Sequence, residues 1–164
     1  MTPNEQTNVV HNTFRIERTY DASPERVFAA FADPESKAKW FSGPEPWVIY
    51  KREFDFRVGG REVVTGGPKG AEAPSSPADC AISGSTFDAR YFDIVPNQRI
   101  VYAYDMYVAG RKLSVSLTTI EITAHGKGTR LVMTEQGAFL GGVEDGSERE
   151  AGTRWLLDKL GKSL

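Results

Sequence analysis

The chain has 164 residues, with 20 lysines and arginines against 22 aspartates and glutamates, for a formal net charge of −2. That length suits one domain with an ample core, and charge of mixed sign along the chain offers no electrostatic case for nucleic acid or an acidic membrane. Cys80 is the only cysteine, so no intrachain disulfide forms, no apolar run approaches a membrane span, and the polar start lacks a signal-peptide core; a cytoplasmic location is the expectation.

Residues 1–12 read as a flexible tail, and residues 13–164 as one domain without repeat or linker. Residues 13–20 alternate, Phe14 and Ile16 on one face and Arg15 and Glu17 on the other, the pattern of a half-buried strand. Ser23-Pro24-Glu25-Arg26 is a helix start, with Ser23 able to cap and Pro24 suited to the first helical position. Val27, Phe28, Phe31 and Ala32 give this short helix an apolar face. Asp33-Pro34 ends it and begins a second, which carries Trp40 and Phe41 near its end before Ser42-Gly43-Pro44 breaks it. From Val48 the period becomes two: Phe54, Phe56 and Val58 share a face opposite Glu53, Asp55 and Arg57. Gly59-Gly60 then signals a two-residue hairpin into a strand over 61–65. The stretch 66–85, with Pro68, Pro74 and Pro77, reads as a long mobile loop able to gate a cavity, with a short strand near 80–82. Strands follow over 86–95, 99–108, 113–123 and 129–136. The last segment, 147–164, is a long amphipathic helix in which Thr153, Leu156, Leu157, Leu160 and Leu164 form one stripe, with Trp155 at its margin.

The order is strand, two short helices, a run of strands, then one long helix. Neighbouring strands joined by short turns imply an α+β fold with an antiparallel sheet. The terminal helix has to bury its stripe on that sheet, and a curved sheet gripping one helix leaves space between them.

Several strings, in this order, resemble the helix-grip fold, also called START-like or SRPBCC, in its bacterial branch related to the activator of heat-shock protein 90 ATPase. They are Ala22-Ser23-Pro24-Glu25-Arg26-Val27-Phe28, Asp33-Pro34 with Lys39-Trp40-Phe41, and Phe56-Arg57-Val58-Gly59-Gly60-Arg61. Val95-Pro96-Asn97-Gln98-Arg99-Ile100-Val101-Tyr102, Ser114-Val115-Ser116-Leu117-Thr118-Thr119, Gly128-Thr129-Arg130-Leu131 and Thr134-Glu135-Gln136-Gly137-Ala138-Phe139-Leu140 complete the set. The resemblance covers the chain from residue 13 to the end. It implies a curved antiparallel sheet wrapped around the long helix, with a deep cavity between them. Members of the superfamily include lipid carriers, hormone receptors, aromatic cyclases and chaperone regulators. Three functions follow as expectations: binding of a hydrophobic or amphipathic molecule, such as a lipid or an aromatic polyketide-like compound; an aromatase or cyclase reaction in the same cavity; or a stress-related protein-interaction module. In the chaperone activators an additional N-terminal domain contributes to chaperone binding, and a chain of this length leaves no room for one. The expected partner is therefore a small hydrophobic ligand, with no nucleic acid, no membrane span and a monomeric or homodimeric state.

Alternation along the strands sorts the candidate site residues. Ile100, Tyr102, Tyr104 and Met106 share a face suited to line a cavity, and Leu131, Met133 and Glu135 share another. Glu135, on an otherwise apolar row, is the sharpest candidate: an acid, a base or a ligand anchor, or else a structural group paired with an arginine such as Arg90. Tyr102 and Tyr104 offer phenols to a ligand oxygen, or pack in the core with their hydroxyls satisfied. Trp40 and Phe41 lie where this fold has its cavity mouth, and either contact ligand or anchor the helix pair. Phe54 and Phe56 are expected as cavity wall. Trp155 and Leu156 on the long helix face the cavity or its flank. Arg57 and Asp55 read as a surface pair, or as polar cavity groups if the register is reversed, the surface pair being favoured. His11, in the tail, and His125, at a turn, have no metal-ligand spacing, so neither metal nor cofactor is expected. Cys80 reads as a buried or loop thiol.

Overall fold

The structure is a computed structural model and describes residues 7–69, 84–142 and 145–164. In chain order the elements are β1 (Val9–Tyr20), α1 (Pro24–Ala32), α2 (Pro34–Ala38), β2 (Trp47–Phe54), β3 (Arg61–Pro68), β4 (Ser85–Val95), β5 (Arg99–Val108), β6 (Arg111–His125), β7 (Gly128–Leu140) and α3 (Ser147–Ser163). The strands form one antiparallel sheet in the order β1-β7-β6-β5-β4-β3-β2. The sheet curves around α3, the helix-grip arrangement expected from the sequence.

Local signals explain most boundaries. Ser23 accepts from the Arg26 N–H at 3.3 Å and caps α1. Asp33 closes α1 and caps α2, accepting from the Ser36 N–H at 2.9 Å and the Ser36 hydroxyl at 2.8 Å. These hydrogen bonds hold the Asp33 carboxyl below the usual carboxylate range. α2 ends at Ala38, so Trp40 and Phe41 lie just beyond it rather than within it.

Three sequence expectations are corrected. β1 begins at Val9, because residues 9–12 pair with residues 137–140 of β7; His11 is an exposed strand residue there, not part of a tail. The β2–β3 connection is not a two-residue hairpin. Phe54 pairs with Glu62, the turn spans the residues between them, and its Gly59 N–H donates to the Tyr91 carbonyl of β4 at 2.9 Å. Val58 falls in this turn and is 56% exposed, so it does not share a buried face with Phe54 and Phe56. Finally, Gly66, Gly67 and Pro68 belong to β3 and Ser85 opens β4. The indole of Trp47 covers Gly66 and the phenol of Tyr50 covers Gly67, so closely that an added Cβ would sit 2.5 and 2.6 Å from them. The rest of the expected gating loop, the short strand near 80–82 and Cys80 lie outside the described residues.

The core lies on the concave face. Phe14 and Ile16 of β1, Ile100 of β5, Ile120 and Ile122 of β6 and Leu131 of β7 are buried there with Val27 and Phe31 of α1. From α3, Leu157 and Leu160 are fully buried, while Leu156 and Leu164 are only partly so. The Tyr20 hydroxyl donates to the Leu157 carbonyl at 2.8 Å, and Arg18 pairs with Asp158 at 2.9 Å, fixing the same end of the helix to β1. No helix among the described residues is long and apolar enough to cross a membrane. Replacing Leu160 with Ala removes a fully buried side chain and is expected to cost about 2–5 kcal/mol, read as a shift in the urea unfolding midpoint at unchanged m-value.

Candidate functional site

A cavity of about 500 Å³ lies between the concave face and the N-terminal half of α3. The segment after α2 supplies Trp40, Phe41 and Pro44; the sheet supplies Trp47, Val64, Phe87, Tyr102, Tyr104, Met106, Met133 and Glu135; the helix supplies Arg149, Gly152, Trp155 and Leu156. Gly152 and Trp155 are exposed, so the cavity reaches solvent beside them. The lining is dominated by aromatic rings packed edge to face or tilted against one another. Trp40 and Phe41 are 5.5 Å apart, Phe41 and Phe87 5.0 Å, and Phe87 and Tyr104 4.7 Å between centroids.

One end is polar. Tyr104, on β5, donates its hydroxyl to the Glu135 carboxylate of β7 at 2.9 Å, and Thr118 of β6 donates to the other oxygen at 3.0 Å. The sheet register brings them together: Thr118 pairs with Tyr102 on one side and Glu135 on the other. Arg149 enters from α3, donating through Nη1 to the Tyr104 hydroxyl at 2.9 Å and through Nη2 to the Ser114 hydroxyl at 2.8 Å. Its Nη1 is 3.9 Å from Glu135. Burial and the Glu135 charge push both Tyr102 and Tyr104 well above the usual phenol range, so both remain protonated donors at neutral pH.

A second polar cluster sits behind the aromatic wall. Lys37 of α2 and Glu62 of β3 are 3% and 0% exposed, and the ammonium donates to the carboxylate at 2.5 Å. The Tyr91 hydroxyl donates to the same oxygen at 2.5 Å. The ammonium also lies 4.7 Å from the centroid of Phe41 and 5.6 Å from that of Phe54. Burial lowers the Lys37 pKa, and Glu62 opposes that shift. This cluster ties α2, and with it Trp40 and Phe41, to the sheet.

Nine of the sequence-derived candidates line the cavity: Trp40, Phe41, Tyr102, Tyr104, Met106, Met133, Glu135, Trp155 and Leu156. Phe54 and Phe56 do not. Because the chain leaves β2 at Phe54, the two rings stack 6.0 Å apart over Phe28 and Tyr91, on the Lys37 side of the wall. The arginine beside Glu135 is Arg149 rather than Arg90. Asp55 and Arg57 form an exposed pair at 2.8 Å, as the sequence suggested. Sequence reasoning missed Trp47, Arg149 and the inward hydroxyls Ser114, Ser116 and Thr118. The signal for Arg149 was its spacing, one turn before Thr153 and two before Leu156 on the same stripe.

The family model for activator of Hsp90 ATPase homolog 1-like proteins matches residues 21–164. The chain belongs to this family. Among solved structures it is similar to the Mll3558 protein of Rhizobium loti, with 44% identity over 96% of this chain and 99% of that one and a TM-score of 0.79. An uncharacterised protein of Rhizobium leguminosarum is 37% identical over 95% of each chain, with a TM-score of 0.81. An activator-homolog-like protein of Aeromonas hydrophila shares the fold at 18% identity, over 93% of this chain and 91% of that one, with a TM-score of 0.67. A search of curated proteins found no match.

Glu62→Gln leaves the buried Lys37 ammonium without its counter-charge and is expected to cost about 3–5 kcal/mol. The double replacement Lys37→Met, Glu62→Leu is expected to cost clearly less than Glu62→Gln alone, measured by urea denaturation of both variants.

Proposed function

We propose that this protein binds a hydrophobic or amphipathic small molecule in the cavity between the sheet and α3. The observation that carries this reading is an unfilled space of about 500 Å³ with an aromatic wall and a single polar end. That volume falls within the range of small-molecule sites, and the combination of an apolar lining with a few convergent polar groups fixes a ligand's orientation. Burial of apolar surface, at ~25 cal/mol per Å² before ordering costs, supplies most of the affinity. Membership of the family is consistent with a ligand-binding module in general. Trp40, Phe41, Tyr102, Met106, Met133, Trp155 and Leu156 form the apolar contact surface, and Tyr104 and Glu135 orient the polar group.

Binding is favoured over turnover because Glu135 is already engaged by Tyr104 and Thr118. A carboxylate held by protein donors serves better to orient the phenol and the guanidinium than to abstract a proton from a substrate.

Native mass spectrometry of the purified protein is expected to show a co-purified small molecule lost on mild activation; a ligand-free spectrum, together with no binding across an aromatic and lipid panel, would count against the reading. Gly152 provides a steric test, since it lines the cavity and an added Cβ meets nothing within 4 Å. Gly152→Phe is expected to weaken ligand binding about tenfold or more, with stability unchanged or raised by roughly 0.5–1 kcal/mol from removing a mid-helix glycine.

A further inference from the structure

We propose that the cavity selects neutral ligands bearing a hydroxyl or carbonyl group and excludes carboxylates of the same skeleton, and that Glu135 is the residue that sets this selectivity. The inference rests on the cavity-binding reading above and adds the chemical class of the polar group.

The argument begins with Arg149, the only cationic side chain among the described residues that line the cavity. Standing alone in an aromatic pocket, a guanidinium would attract a ligand carboxylate and bind it through two parallel hydrogen bonds. Here two of its five N–H donors, one on each terminal nitrogen, are already engaged. Nη1 donates to Tyr104 and Nη2 to Ser114. The guanidinium carbon lies 5.1 Å from the Phe139 centroid and 5.5 Å from that of Tyr104, so rings take up its faces. Glu135, 3.9 Å away, supplies a negative charge.

Apart from Lys159 at the rim, which donates to Ser42 at 3.0 Å and lies 4.6 Å from the Trp155 centroid, the surrounding charges act in the same direction. Among the described residues the lining contains two carboxylates, Glu135 and Glu148, against the single guanidinium of Arg149. The N-terminal end of α3, whose helix dipole would otherwise draw an anion, carries Glu148 and Glu150, and Asp145 accepts from its Ser147 N–H at 2.9 Å. Behind the wall, Lys37 is matched by Glu62. An incoming carboxylate would therefore lose its water while facing Glu135, and the one cation among the described lining residues already has that carboxylate 3.9 Å away. A neutral hydroxyl or carbonyl meets no such penalty and can exchange hydrogen bonds with the Tyr104 hydroxyl and the guanidinium.

The test is isothermal titration calorimetry of the whole chain at pH 7 with 2-naphthol and 2-naphthoate, which share a ring system small enough for the cavity. 2-Naphthol is expected to bind about tenfold or more tightly than 2-naphthoate. In Glu135→Gln, which exposes Arg149 to the ligand while keeping the side-chain shape, 2-naphthoate affinity is expected to rise about tenfold and the preference to narrow or reverse. Equal or tighter binding of 2-naphthoate by the unmodified protein would overturn this proposal alone. So would a folded Glu135→Gln protein whose preference is unchanged. Binding of neither compound would overturn it too, while the cavity-binding reading would still stand or fall with the native mass spectrum and the ligand panel. The comparison on the unmodified protein decides the selectivity even if the variant does not fold.

Discussion

The way α3 is held determines the interior of this protein. Its C-terminal half is docked: Leu157 and Leu160 are fully buried, Tyr20 bonds the Leu157 carbonyl, and Arg18 reaches Asp158. Its N-terminal half is instead propped by one long side chain, Arg149, which spans the gap to Tyr104 and Ser114. A rod seated at one end and strutted at the other encloses a wedge of space, and that wedge is the cavity. The sheet conforms to this division. β6 presents Ile120 and Ile122 beneath the docked half, and Ser114 and Ser116 beneath the strutted half, with Gly137 of β7 beside Ser116.

Two buried polar clusters flank the aromatic wall, and their surroundings assign them different work. Lys37, Glu62 and Tyr91 are sealed from the cavity and fasten the α2 segment that carries Trp40 and Phe41. Tyr104, Glu135 and Arg149 face the cavity, and the buried Thr118 holds Glu135 by a hydrogen bond. Tyr102 lies between the two: its pKa is raised by burial first, with the charges of both Glu135 and Glu62 adding to the effect. The wall is therefore fixed from behind and polarised in front, which favours a rigid, pre-formed binding surface over one shaped by its ligand.

Much of this was legible in the sequence. Caps at Ser23 and Asp33 placed the short helices, period-two alternation placed Tyr102, Tyr104, Met133 and Glu135 on inward faces, and the leucine stripe announced α3. What stayed hidden had physical causes. The chain leaves β2 at Phe54, so extrapolating the alternation through Phe56 to Val58 assigned a strand face to a turn. Lys37 and Glu62 are 25 residues apart, and nothing local indicates that two ordinary charges will meet in a core. The strand content of Gly66 and Gly67 was masked by composition: glycines that suggest a loop here admit the rings of Trp47 and Tyr50.

β6 was misleading for a further reason. Over Ser114 to Thr118 its hydroxyls point inward, while Val115 and Leu117 are about 40% exposed on the convex side. Further along, Ile120 and Ile122 point inward in the ordinary way. The two halves of one strand therefore favour opposite alignments with their neighbours. A slip by a single residue would gratify the first half's aliphatics and expel the second half's isoleucines. The correct alignment thus depends on Ile120 and Ile122 to anchor it and on the Ser114 and Thr118 hydroxyls finding partners in Arg149 and Glu135. This strand is where the chain's local and global preferences conflict, and the conflict is the thermodynamic cost of keeping a polar corner inside an otherwise oily grip.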